Sequence, residues 1–254
     1  MTDLVQDSLN VEIRQDARIE DFASEGFRPI IEAIERLADG QLRELFITGG
    51  HGFGKTHLAQ AVYDYFKRQT DKSAISLQLE ELIEQDPQAD TLVGLEMFDL
   101  IIFDDLQTVK KSYEWQEGLF HLINRLYKHR KQILYLADCP AREIHLNLND
   151  LQTRLSLAPM LALPDHSDEQ DRRILIDTII KKKSWRLPDE ITAYLLAEGP
   201  RNAGGINTVL DHIRPLLSLQ TRSQLSKKAI TEVKNIILRE SFLLEISASE
   251  NTEL

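Results

Sequence analysis

GGHGFGKT, residues 49–56, decides the reading of this chain. It satisfies the pattern G-x-x-x-x-G-K-[ST]. The apolar run LFIT (45–48) precedes it, which reads as a short buried strand. Leu58, Ala61, Val62, Tyr65 and Phe66 follow at helical spacing. A glycine-rich turn between a strand and a helix lets backbone N–H groups converge on phosphate oxygens. Gly49, Gly52 and Gly54 supply that freedom. The loop residues Gly50, His51 and Phe53 contribute backbone, and His57 follows as a surface or packing residue of the helix. The start of that helix adds a field that favours anions. Lys55 is expected to neutralise β- and γ-phosphate charge, and the Thr56 hydroxyl to sit on Mg²⁺.

Moving outward, the pattern alternates. Ile30, Ile31, Ile34 and Leu37 predict a helix that Gly40 ends. AISLQL (74–79) predicts a strand, followed by a short acidic helix around Glu80–Glu84. DLIIFDD (99–105) is an apolar strand that ends in two carboxylates. Trp115, Leu119, Leu122, Ile123 and Leu126 predict a long helix, and QILYLA (132–137) another strand. Strands separated by helices imply a parallel sheet with helices on both faces, an α/β fold. After Pro164 no strand is expected. Helices are expected over 168–183, 188–198, 205–219 and near 226–240, with Ser167 as the first N-cap. The expected organisation is an arm over 1–16, a nucleotide-binding domain over 17–164, a small all-helical lid over 165–241, and a polar tail over 242–254.

Asp104 and Asp105 end their strand where an α/β sheet presents its ligands. Asp104 is expected to hold the Mg²⁺ shell and Asp105 to polarise the attacking water. With the phosphate loop, this implies ATP or ADP with Mg²⁺ as ligand.

Composition sets outer bounds. The 254 residues are 42% hydrophobic, enough for a soluble core. No apolar run approaches membrane-spanning length, and the start, MTDLVQDSLNVEIRQD, is not a secretory signal. A single cysteine, Cys139, forms no internal disulfide, and a cytoplasmic location is expected. The net charge of −11 argues against strong direct DNA binding. The lysine runs 181–183 and 110–111 read first as solvated faces. H-E-x-x-H and G-x-S-x-G patterns are absent.

The strand–loop–helix, LIIFDDLQ (100–107), ILYLADCPAREI (133–144) and LNDLQTRLS (148–156) together resemble the ATPase region of the bacterial replication initiator DnaA, an AAA+ family. The resemblance spans roughly residues 18–240. It implies that LADCP (136–140) is the sensor-1 segment, with Asp138 as the matching residue, and that LQTRL (151–155) is the arginine-finger segment, with Arg154 as the finger. LPDEI (187–191) and GPRNAGGINTVLDHI (199–213) resemble the lid helices, with Gly204 where the family places a sensor-2 arginine and Arg201 three residues earlier. Loss of that arginine would suit a protein that holds ADP or hydrolyses ATP poorly. The adenine is expected against the segment near Phe22–Pro29.

The initiator continues past its lid into a DNA-binding domain, whereas this sequence stops soon after its last lid helix. In this it is closer to the Hda group of short DnaA paralogues. The resemblance then implies that DnaA and the DNA-loaded sliding clamp are partners, and that the chain makes DnaA hydrolyse its ATP. Gln6-Asp7-Ser8-Leu9-Asn10-Val11 resembles a Q-x-[SD]-L-x-[LF] clamp-binding peptide, with Gln6, Leu9 and Val11 as contacts. The other reading of these residues is an ordinary arm. Two further function classes stay open: an autonomous AAA+ ATPase that loads a helicase or assembles on DNA, and a passive nucleotide-binding tether. An AAA+ module with a finger acts beside a neighbour, either another copy in a homo-oligomer or a different chain.

Overall fold

The structure is a computed structural model that describes residues 17–166, 168–218 and 227–250. They form two compact units. The first takes Phe27–Gly50 and Lys55–Leu163 with the described residues up to Ala23. The second takes Ser24–Gly26, His51–Gly54 and the described residues from Pro164 on.

The first unit is built on a five-stranded sheet of β1 (Glu44–Thr48), β2 (Ala74–Gln78), β3 (Leu100–Asp104), β4 (Gln132–Ala137) and β5 (Met160–Ala162). Their spatial order is β2-β3-β4-β1-β5, and every pairing is parallel. All residues of β3 and β4 are buried, which is why both read as unbroken apolar runs: helices cover both faces of a parallel sheet. The helices are α1 (Arg28–Ala38), α2 (Lys55–Gln69), α3 (Leu79–Gln85), α4 (Tyr113–Lys128) and α5 (Asn149–Leu155). Gly40, at φ +77°, lets the chain leave α1, and its N–H is bonded to Leu37 O. Ser112 caps α4 by accepting from Trp115 N. Trp115 is fully buried, and its indole N–H donates to Asp86 O at 2.6 Å.

A buried glutamine, Gln116, and a half-buried one, Gln152, fix the loops around α4 and α5. Gln116 on α4 has no exposed surface; its Nε2 donates to Val109 O and its Oε1 accepts from Leu148 N, the residue before α5. Gln152 on α5 accepts from Leu146 N at 3.0 Å and donates to Ala141 O. The placement of α5, which carries Arg154, is thus set by side-chain bonds as well as by Leu151 and Leu155 in the core.

β5 is an element the sequence reading did not anticipate. It is three residues long, only half-covered, and pairs with β1 through Phe46–Met160, Ile47–Leu161 and Thr48–Ala162.

The second unit is helical: α6 (Glu169–Lys182), α7 (Asp189–Glu198), α8 (Ala203–Ser218) and α9 (Lys227–Glu250). Ile176, Ile191, Leu195, Ile206, Val209, Leu210, Ile213, Val233 and Ile237 form its core. Ser167, expected as the N-cap of α6, lies outside the described residues. The cap is Asp168, whose Oδ1 accepts from Gln170 N at 2.8 Å and Asp171 N at 3.0 Å. A carboxylate there also favours the positive end of the helix. α9 runs on to Glu250, past its expected end near 240, because no glycine or proline interrupts 227–250.

Candidate functional site

The carboxyl ends of β1 and β3 hold the phosphate-loop residues and the two aspartates. Gly49 follows β1 where there is no room for a side chain: a Cβ would lie 2.7 Å from Leu163 Cδ1. Gly52 and Gly54 have φ of +78° and +91°, the left-handed region that only glycine enters freely. Lys55, the first residue of α2, is buried, and its Nζ donates to Gly49 O at 2.8 Å and Gly50 O at 3.2 Å. The ammonium therefore lies in the loop's own concavity. His51 is exposed, and Gly50 and Phe53 are half-buried.

Asp104 has no exposed surface, and its Oδ2 has no hydrogen-bond partner. Its Oδ1 accepts from Asp105 N at 3.0 Å. Burial, and then the charge of Asp105, push its carboxyl up to about 6, against the pull of the Thr56 hydroxyl, the Asp105 N–H and Lys55. A buried carboxylate with one free oxygen, beside a threonine hydroxyl, suits a divalent cation. Among the described residues no group of three or more His, Cys, Asp or Glu is placed to hold a metal. The residues present fit Mg²⁺, which is bound through one or two protein oxygens plus substrate phosphates rather than by an all-protein cage.

Asp105 sits at φ +55°, a backbone that Asp tolerates better than most residues. Its Oδ1 accepts from Gln107 Nε2 at 3.2 Å, and Gln107 Oε1 accepts from Asp138 N at 3.2 Å. Gln107 thereby ties the end of β3 to the end of β4, and brings Asp138 into the same network through its backbone. Sequence reasoning missed Gln107: a polar residue in a short 3-10 turn has no periodicity to mark it. The Asp138 side chain is exposed and lies beside the Cys139 thiol. Burial and that carboxylate push the thiol up to about 12, so Cys139 is not a nucleophile at neutral pH.

His57 has a defined role that its sequence position did not reveal. Its Nε2 lies 3.0 Å from Asp21 Oδ2, and its ring is 5.6 Å from that of Phe22, which packs on Phe27 at 5.0 Å. His57 thus joins α2 to the Phe22–Pro29 segment expected to face the base. In the second unit, Gly204 N donates to Gly52 O at 2.8 Å, and a Cβ at position 204 would lie 3.0 Å from Gly52 Cα. Close backbone approach explains the glycine there. Arg201 is exposed.

Arg154 lies elsewhere. Its guanidinium carbon is 3.5 Å from the centroid of the Tyr127 ring. Burial, and then the neighbouring Glu44 carboxylate, push the Tyr127 phenol up to about 12. Glu44 is the first residue of β1, whereas the phosphate loop follows its last. One strand length, about 13 Å, separates the two ends. Gln6, Leu9 and Val11 lie outside the described residues.

A family model for the bacterial DnaA ATPase domain matches residues 21–160. That span holds the phosphate loop, Asp104, Asp105, Asp138 and Arg154. The chain belongs to the bacterial DnaA ATPase domain family. The chromosomal replication initiator protein DnaA of Thermoanaerobacter sp. (strain X514) is 26% identical over 207 residues, 77% of this chain and 46% of that protein. DnaA of Nautilia profundicola is 27% identical over 226 residues, 82% of this chain and 50% of that protein. The chain thus spans about half the length of the curated relatives it matches. The crystal structure of domain III of Thermotoga maritima DnaA superposes with a TM-score of 0.76 at 22% identity, covering 89% of this chain and 98% of that one. AMPPCP-bound DnaA from Aquifex aeolicus gives 0.67 at 24% identity, covering 80% and 66%. The parallel sheet flanked by helices, with a helical second unit, is the AAA+ fold. No helix among the described residues is long and apolar enough to cross a membrane.

Proposed function

We propose that this member of the DnaA ATPase domain family is an Hda-like regulator of replication initiation. It binds ADP or ATP with Mg²⁺ in its own phosphate loop and supplies Arg154 in trans to ATP held by the DnaA initiator, on a DNA-loaded sliding clamp. Residues 17–164 are the nucleotide-binding domain, 165–241 the lid and 242–254 a tail, and Gln6, Leu9 and Val11 of the 1–16 arm are the clamp contacts. Gly49–Thr56 hold the phosphates, Lys55 neutralises their charge, and Thr56 with Asp104 holds the cation. Asp105 orients a water, aligned by Gln107 and Asp138.

One observation carries the trans assignment. Arg154 is held at the amino-terminal end of β1, beside Tyr127 and Glu44, a strand length from the loop that follows the other end. From there it does not reach its own Asp104 and Lys55, so a phosphate it serves belongs to a neighbour. An arginine supplied to a phosphoryl-transfer transition state is worth about 10³–10⁵ in rate. The experiment is phosphate release from ATP-loaded DnaA with clamp on DNA. Arg154→Ala is expected to remove the stimulation by at least about a hundredfold. Stimulation equal to that of the unmutated chain ends the trans-finger reading.

A second reading, an autonomous ATPase that loads a helicase or assembles on DNA, draws on the Asp105–Gln107–Asp138 network, which a pure activator does not need. Single-turnover hydrolysis by the chain alone, and clamp capture with and without residues 1–12, separate the two. Turnover alone without clamp capture favours the loader.

A further inference from the structure

We infer that Tyr127 is the positioning residue of the arginine finger: its ring holds the Arg154 guanidinium by the face, backed by Glu44, and so leaves the N–H edge for a phosphate. The inference rests on the trans-finger reading and extends it to the finger's own support.

An arginine on a surface helix loses rotamer freedom when it must act at one place, and that loss weakens the interaction it makes. α5 is only seven residues long, so the helix alone does little to restrain the side chain. A carboxylate partner would restrain it, but a bidentate ion pair occupies the same donors that a phosphate needs. Among the described residues, no carboxylate lies within ion-pair distance of Arg154. The ring takes that place. At 3.5 Å from the centroid, the guanidinium carbon is in direct contact with the π face.

The chemistry behind the ring strengthens the hold. The Glu44 carboxylate lies near Tyr127 and helps to raise its phenol, so a negative charge backs the ring whose face meets the cation. Glu44 also places its charge near the guanidinium without bonding it, and its Oε2 is buried with no hydrogen-bond partner. Arg154 Nε is likewise buried and unpartnered. Tyr135, fully buried on β4, lies within reach of the charges of Glu44 and Arg154, and its own hydroxyl has no partner. Glu44 Oε2, Arg154 Nε and Tyr135 Oη are thus three buried polar atoms without a hydrogen-bond partner around the contact between the guanidinium and Tyr127. Such a concentration of uncompensated groups marks a position held for use rather than for stability.

The test uses the full chain with ATP-loaded DnaA and clamp on DNA, and separates a π face from mere bulk. Tyr127→Leu keeps apolar volume without the π face, and Tyr127→Phe keeps the face without the hydroxyl. Tyr127→Leu is expected to lower the maximal stimulated rate about tenfold, with the half-saturating concentration of the chain within about twofold. Tyr127→Phe is expected to recover most of that loss. Glu44→Gln, which removes only the backing charge, is expected to fall between them. Recovery by Leu as complete as by Phe assigns Tyr127 to packing alone and overturns the inference. So does an unchanged rate in Tyr127→Leu while Arg154→Ala abolishes stimulation; the finger then stands without its platform. If Arg154→Ala itself has no effect, it is the trans reading that fails, and the two failures are told apart.

Discussion

At Asp104 two demands compete. The sheet buries the carboxyl completely, and Asp105 sets a second charge beside it, so the folded protein holds it near 6 rather than at the usual 3.8. The sign of the consequence is fixed. With a folded-state value above the unfolded one, the group's contribution to stability is fully present below about 4. It is lost as pH rises through about 6, where the folded state must carry a buried charge. A shift of about two units corresponds to roughly 3 kcal/mol at most. Urea unfolding in chelator, without nucleotide, should therefore find Asp104→Asn favoured over the unmutated chain at pH 8 by up to about 3 kcal/mol more than at pH 4. A gap equal at both pH values would remove this account. Sequence alone announced the pair, since two carboxylates at the end of an apolar strand beside a phosphate loop are hard to read otherwise. It did not announce the residues that answer them. Gln107, Tyr127 and Glu44 act through single contacts brought together by the fold, and no spacing rule connects position 44 with 127 and 154.

At the scale of elements, legibility followed burial. β3 and β4 are covered on both faces and so read as continuous apolar runs, and α4 showed its period through Trp115 to Leu126. β5 gave no such signal. It is three residues between Pro159 and Pro164, half-exposed at the sheet edge, and its partner β1 lies more than a hundred residues earlier in the chain. The segment that carries Arg154 was marked by its resemblance alone and not as a helix; what fixes the helix is Gln116, a fully buried side chain that joins α4 to the loops around Val109 and Leu148. Removing a buried polar partner leaves the other groups unsatisfied, which costs about 1–3 kcal/mol for each. Gln116→Leu strands Val109 O and Leu148 N, so a loss of about 2–4 kcal/mol is expected. It should appear as a lower urea midpoint at unchanged slope. A loss below about 0.5 kcal/mol would mean that those groups find other partners.

The whole molecule carries −11 net charge and two chemical stations. One is the phosphate loop with Asp104 at the carboxyl end of the sheet. The other is Arg154 on Tyr127 near the start of β1. Because a strand length separates them and they share no side chain, their losses should be separable, as distant sites without common partners usually are. Lys55→Ala removes the ammonium that donates to Gly49 O and Gly50 O and that is proposed to meet phosphate, and Arg154→Ala removes nothing the loop touches. Binding to the folded state alone stabilises it by about 2.7 kcal/mol at a ligand concentration a hundred times Kd. Thermal unfolding with saturating Mg-ADP should therefore keep its full ligand shift in Arg154→Ala and lose most of it in Lys55→Ala. Stimulation of DnaA-bound ATP hydrolysis should fail in Arg154→Ala, whatever nucleotide that chain has bound. If Arg154→Ala instead loses the ADP shift, the arginine serves its own nucleotide. The strand length between the two stations would then not be what divides the work.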